Sequence, residues 1–158
     1  MSDSLAAASI IKVMKRRGLT LATAESITGG GLGEAFTAVS GASAVYQGGF
    51  ITYSDASKTK FLGILKRNLN KYTAVSEEIA IEMARSVRAQ FKADYAISTT
   101  GVAGPGRAYG QKAGTVWMAI DGPHGTTSVL LALSGTRADI RRATIESALA
   151  TFTRILTL

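Results

Sequence analysis

An alternating run, Leu19-Thr20-Leu21-Ala22-Thr23, passes through Ala24-Glu25 into Ser26-Ile27-Thr28-Gly29-Gly30-Gly31. Beyond it, Leu32, Ala35, Phe36 and Val39 recur at helical spacing. This order predicts a buried strand, a tight turn and a helix that opens on glycine. A helix start leaves its first backbone N–H groups without intrahelical partners, and glycine lets a ligand approach them closely. Ser26 and Thr28 therefore sit where an enzyme places a nucleophile or an anion cradle. Helix capping and backbone packing call for the same residue types. The spacing is neither G-x-x-x-x-G-K-[ST] nor G-x-S-x-G, so neither the P-loop nor the hydrolase-elbow argument applies.

A second segment of this kind follows at Tyr95-Ala96-Ile97-Ser98-Thr99-Thr100, a strand pattern that runs into Gly101-Val102-Ala103-Gly104-Pro105-Gly106. Around these two, the pattern predicts a first helix over residues 4–17, with Ala7, Ile10, Ile11 and Met14 on its inner face and Gly18 as its stop. Residues 45–53 read as a strand in which Gly48-Gly49 marks a bulge or a close backbone approach. A short helix holding Lys58 comes next. A longer one starts at Ser76, with Glu77 and Glu78 in its first turn and a stripe of Ile79, Met83, Val87 and Phe91. Residues 114–120 and 126–133 read as an antiparallel pair. A closing helix from about Thr136 turns Ile145, Ala148, Leu149, Phe152, Ile155 and Leu156 inward.

The order predicts one α/β domain over residues 1–158, a three-layer α/β/α sandwich on a mixed sheet. Parallel crossovers would bring both glycine-rich strand ends to one edge, where open α/β sheets bind ligands.

Composition narrows the chemistry. The chain has 158 residues, 46% of them hydrophobic, enough for one packed core. It contains no cysteine, which excludes disulfides, thiolate metal sites and a cysteine nucleophile. The lone histidine, His124, falls in Asp121-Gly122-Pro123-His124-Gly125, a turn between two strands, so neither a Ser-His-Asp triad nor a metal cluster finds support. An activated Ser26 would need another base, and lysine is the documented alternative. The net charge of +7 is dispersed and lacks aromatic platforms, which fits a solvated surface biased toward anionic ligands rather than a nucleic-acid partner. No run approaches the apolar length needed to span a bilayer, and Met1-Ser2-Asp3-Ser4-Leu5 lacks the features of a secretion signal. A soluble, cytoplasmic protein without a membrane partner is expected.

Three blocks taken together resemble the CinA C-terminal domain family: residues 23–30, Tyr53-Ser54-Asp55-Ala56-Ser57-Lys58, and residues 100–106 followed by Gly114-Thr115-Val116. The resemblance extends over nearly the whole chain, including Ala74-Val75-Ser76-Glu77-Glu78 and the region of Arg137 and Arg141. Characterised enzymes of that family are nicotinamide-nucleotide amidases. The resemblance thus implies hydrolysis of the amide of nicotinamide mononucleotide to nicotinic acid mononucleotide and ammonia, in pyridine-nucleotide salvage. It implies a serine amidase without metal or cofactor, acting on a small nucleotide, in a homo-oligomer. Matched position by position, Ser26 would be the nucleophile, Lys58 its base and Tyr53 a positioning or proton-relaying group.

An unassisted hydroxyl attacks an amide poorly, so the base is essential. Lys58 serves only if burial or a neighbouring cation lowers its pKa, and read without the family it is an ordinary solvated helix lysine. Backbone N–H groups around Thr28, Gly29 and Gly30 are candidate oxyanion donors. Thr100, Gly101, Gly104 and the pair Arg137 and Arg141 are candidates for the substrate's phosphate. Glu25 either orients a partner or ribose hydroxyls, or braces the turn. Two positions and one loop depart from the family pattern. Ile27 stands where cysteine is common, Asp55 replaces asparagine, and Arg107-Ala108-Tyr109-Gly110-Gln111-Lys112-Ala113 replaces a glycine-rich run with an acidic-lysine-proline sequence. A carboxylate at Asp55 that paired with Lys58 would favour the ammonium and oppose its use as a base.

Overall fold

The computed structural model describes residues 3–157. Met1 and Ser2, the first residues of the stretch read as lacking a secretion signal, lie outside the described residues, as does Leu158.

Helix α1 (Asp3–Arg17) ends where Gly18 takes a left-handed φ of 66°. It is followed by β1 (Leu21–Glu25), α2 (Gly31–Thr37), a short 3-10 turn (Ala42–Ala44) and β2 (Tyr46–Ile51). Three helices come next, α3 (Asp55–Leu62), α4 (Lys66–Tyr72) and α5 (Glu77–Phe91), then β3 (Tyr95–Gly101), β4 (Thr115–Gly122), β5 (Gly125–Ala132) and α6 (Arg137–Thr157). The strands form one sheet in the order β2-β1-β3-β4-β5. β1 runs parallel to both β2 and β3, while β4 and β5 are antiparallel additions. The two-residue turn Pro123-His124 joins that hairpin, and His124 is exposed.

Each face of the sheet has its own core, which makes the three layers. On one face Ile10 and Met14 of α1, Leu32 and Phe36 of α2, and Leu149 and Phe152 of α6 pack on Leu21, Ile97 and Met118. On the other, Leu62 of α3, Leu69 of α4, and Ile79, Met83 and Val87 of α5 pack on Ala22, Ala24 and Ala96. Small sheet residues there let α5 lie close. The Ser76 side chain accepts a hydrogen bond from Ile79 N–H and so caps α5 at the expected place.

Two features differ from the expectation. β1 begins at Leu21, not Leu19, because Leu19 N–H closes α1 onto the Met14 carbonyl and Thr20 binds the Asp94 carboxylate. The strand accordingly runs two residues further, and Glu25 is its last residue. Helix α4 was not anticipated; its only buried residue is Leu69, too little to make a periodic signal. The paired glycines of β2 serve both suggested purposes. Leu21 pairs with Tyr46 but Ala22 pairs with Gly48, a bulge that leaves Gln47 over, and a Cβ on Gly49 would lie 2.3 Å from the Thr23 carbonyl oxygen.

Among the described residues no helix is long and apolar enough to cross a membrane, and no cluster of His, Cys, Asp or Glu could hold a metal ion.

Candidate active site

Because β2, β1 and β3 are parallel neighbours, their C-terminal ends lie side by side, Glu25 pairing with Ile51 on one side and Thr99 on the other. The backbone extends that register one step: Ser26 N–H donates to the Thr99 carbonyl at 2.9 Å and Thr52 N–H to the Glu25 carbonyl at 2.8 Å. Ser26 and Thr52 thus follow the ends of β1 and β2, and Thr100 lies beside them in the last two residues of β3. Helix α3 then brings a base to them. Ser54 caps it, accepting from Ser57 N–H while the Ser57 hydroxyl accepts from Ser54 N–H. One turn later Lys58 points inward, only 1% exposed.

Lys58 Nζ lies 3.1 Å from Ser26 Oγ and donates to the Thr52 carbonyl at 2.7 Å. Burial pulls its pKa down from 10.5 to about 8, against an opposing upward pull from the Asp55 charge. A hydroxyl and an amine that loses its proton around pH 8 rather than above 10 therefore face each other, which is the arrangement a serine nucleophile needs.

Both residues line a cavity of about 200 Å³. Tyr53, Thr100, Gly101, Gly104 and Arg137 line it as well, together with Arg107 and Tyr109 from the loop after β3. Arg137, the first residue of α6, donates through Nη2 to the Tyr53 hydroxyl at 2.7 Å and through Nη1 to the Gly104 carbonyl at 2.6 Å. It therefore joins the segment after β2 to the glycine loop. The Thr100 hydroxyl donates to the Ala74 carbonyl at 2.6 Å.

Glu25, Thr28, Gly29, Gly30 and Arg141 do not line this cavity. The Glu25 carboxylate, 2% exposed, takes the helix N-terminus for itself: Oε2 accepts from the Thr28 hydroxyl at 2.6 Å and from Gly30 and Leu32 N–H at 3.0 Å, and Oε1 accepts from Gly33 N–H at 2.8 Å. Gly29 N–H donates to the Ser26 carbonyl. The glycine N–H groups expected to meet an oxyanion or phosphate are thus already engaged, and Glu25 braces the turn. Among the described residues the N–H groups of Ile27 and Thr28 have no acceptor, and Ile27 lines the cavity. Arg141 secures the same turn from behind, donating to the carbonyls of Ile27 at 3.1 Å and Thr28 at 3.0 Å.

Sequence reasoning missed the Thr52 carbonyl, a main-chain acceptor that no side-chain pattern encodes. It also missed the contact between Tyr109 and Asp55, whose atoms approach to 3.5 Å across 54 positions of sequence.

The CinA C-terminal domain family model matches residues 3–156. A putative competence-damage inducible protein of Caldanaerobacter subterraneus subsp. tengcongensis is 47% identical over 84% of this chain, which spans 32% of that relative. A CinA-like protein of Acaryochloris marina is 45% identical over 74% of the chain and 28% of its own length. The chain thus spans about a third of the length of these curated relatives. Among solved structures, the competence damage-inducible protein A (ComA) of Klebsiella pneumoniae subsp. pneumoniae superposes with a TM-score of 0.97 at 32% identity, covering 99% of this chain and 98% of that one. A CinA superfamily protein of Escherichia coli gives a TM-score of 0.94 at 31% identity, covering 99% and 91%. In sequence and in fold alike, this chain belongs to the CinA C-terminal domain family.

Proposed function

We propose that this chain is a serine amidase that hydrolyses the carboxamide of nicotinamide mononucleotide. The observation that carries the reading is the 3.1 Å approach of a buried Lys58 Nζ to Ser26 Oγ, with the amine held on the Thr52 carbonyl and its pKa lowered to about 8. When Lys58 is neutral, one hydrogen stays on that carbonyl and the lone pair accepts the Ser26 proton. Oγ attacks the amide carbon, and Ile27, which lines the cavity and whose N–H has no acceptor among the described residues, offers a donor for the developing oxyanion. Collapse breaks the C–N bond, and the nitrogen recovers the proton from Nζ and leaves as ammonia. Water, deprotonated by the same amine, then attacks the acyl carbon; the C–Oγ bond breaks, Oγ takes the proton back from Nζ, and the product acid ionises to the carboxylate.

The choice of substrate rests on the family resemblance and is supported by charge. Among the described residues no carboxylate lines the cavity, while Arg107 and Arg137 do, a setting that favours an anionic substrate. Ammonia release from nicotinamide mononucleotide by wild type, Ser26→Ala and Lys58→Ala tests the reading, with folding followed by circular dichroism. Each variant should lose about a thousandfold or more in rate while remaining folded. A wild type that binds the mononucleotide without releasing ammonia would identify a binding module instead.

A further inference from the structure

Asp55 and Lys58 stand three residues apart in the first turns of α3, the spacing at which opposite charges on a helix ordinarily meet. They form no ion pair among the described residues. Lys58 turns inward to Ser26 and Thr52, and the polar partner of Asp55 is Tyr109, whose hydroxyl lies 3.5 Å from Oδ1. Tyr109 sits for this contact at the tip of a loop closed by its own hydrogen bonds. Ala108 and Gln111 exchange backbone hydrogen bonds at 3.0 and 2.9 Å, and Arg107 Nη2 donates to the Gly110 carbonyl at 3.1 Å. Tyr109 itself holds a left-handed φ of 52°, a conformation that costs a non-glycine residue about 1 kcal/mol. Its ring lines the same cavity as Ser26 and Lys58.

We propose that Tyr109 is a positioning residue that acts through Asp55: its phenol holds the carboxylate at the loop and so prevents an ion pair with Lys58. The proposal rests on the reading of Lys58 as the base of Ser26. The charge of Asp55 pulls the Lys58 pKa upward, against the larger effect of burial. The other ionisable groups lining the cavity are Tyr53, Arg107 and Arg137. Helices α4 and α5, which pack against α3, carry Lys66, Arg67, Lys71, Tyr72, Glu77, Glu78, Glu82, Arg85 and Arg88, and the hydrogen bonds of Lys58 go instead to Ser26 and the Thr52 carbonyl. Asp55 held by Tyr109 leaves Lys58 able to lose its proton near neutral pH; Asp55 released would favour the ammonium.

The test is a direct titration of Lys58 by NMR of its labelled Cε, assigned against Lys58→Arg, in wild type, Tyr109→Phe, Asp55→Asn and the double variant. Tyr109→Phe should raise the Lys58 midpoint by about one pH unit as the freed carboxylate pairs with the ammonium. Asp55→Asn should lower it, and the double variant should match Asp55→Asn. An unchanged midpoint in Tyr109→Phe overturns the proposal, as does a rise that persists in the double variant. The titration needs no substrate, so loss of the amidase reading, seen as absent ammonia release, is distinguishable from loss of this one.

Discussion

Lys58 Nζ donates to the carbonyl of Thr52, the residue that follows the last residue of β2, at 2.7 Å, and this single contact orients the amine on Ser26. Only the neutral amine can take the serine proton. With a pKa lowered to about 8, kcat/KM for amide hydrolysis should rise with pH and level off above about 8. At pH 7 the rate should be about a tenth of the plateau. A pH series of ammonia release checks this, and a profile that still climbs at pH 10 would deny Lys58 the role of base.

Glu25→Gln keeps the volume of the side chain but presents an NH2 to donors. Four short hydrogen bonds from Thr28, Gly30, Leu32 and Gly33 converge on the buried carboxylate, and three of them come from backbone N–H groups that have no other acceptor. The substitution should cost about 2–4 kcal/mol in urea unfolding, more than an exposed glutamate would. A loss under 0.5 kcal/mol, the ordinary range for a surface change, would remove the brace.

Glu25 also marks where the sequence stops being legible. The strand–glycine–helix order, the parallel neighbours β1 and β3 and the bulge in β2 follow from local pattern, because period, glycine and caps are encoded within a few residues. The partner of the helix start is not, since Ser26, Thr28 and three glycines permit a ligand or the protein's own carboxylate equally well. Only the strand register, which ends β1 at Glu25 rather than at Thr23, sets the carboxylate beneath those N–H groups. Lys58 is similar: nothing in its neighbourhood of sequence distinguishes a buried amine from a solvated one, and its burial comes from the packing of α3 on the strand ends. Helix α4 left no pattern because one buried leucine suffices to hold it.

Arg137 spans the cavity from Tyr53 to Gly104 with two different guanidinium nitrogens, a geometry that a lysine ammonium cannot reproduce. Arg137→Lys should therefore raise KM for the mononucleotide about tenfold and change kcat less than about threefold, the pattern of lost substrate binding. Steady-state kinetics separate the two parameters. A fall in kcat at constant KM would place Arg137 in the chemical step instead.

Gly49→Ala would put a Cβ 2.3 Å from the Thr23 carbonyl oxygen, where β1 and β2 meet. The strands must separate to admit it, at a cost of about 1–3 kcal/mol. The strain falls two residues from the end of β2, which leads into Thr52, so activity should drop along with the midpoint of chemical denaturation. Stability equal to wild type would show that the sheet edge yields freely.

Lys58 should itself be a stability liability, with a sign that depends on pH. Its pKa is lowered in the folded state, so the unfolded chain binds the extra proton between about pH 8 and 10.5 and is favoured below that window. The difference corresponds to about 3 kcal/mol. Lys58→Met keeps the length of the side chain and removes the charge, at the cost of leaving the Thr52 carbonyl without its donor, about 1–3 kcal/mol. At pH 7 the variant should be as stable as wild type or more so. Its advantage should shrink as pH rises through the window and reverse above pH 10.5, where wild-type Lys58 is neutral in both states and keeps its hydrogen bond. Groups other than Lys58 titrate alike in both proteins and cancel in the difference. Unfolding free energies of the pair at pH 7 and at pH 10.5 decide the matter: a difference independent of pH would mean that Lys58 keeps its ordinary pKa, and the case for it as the base of Ser26 would go with it.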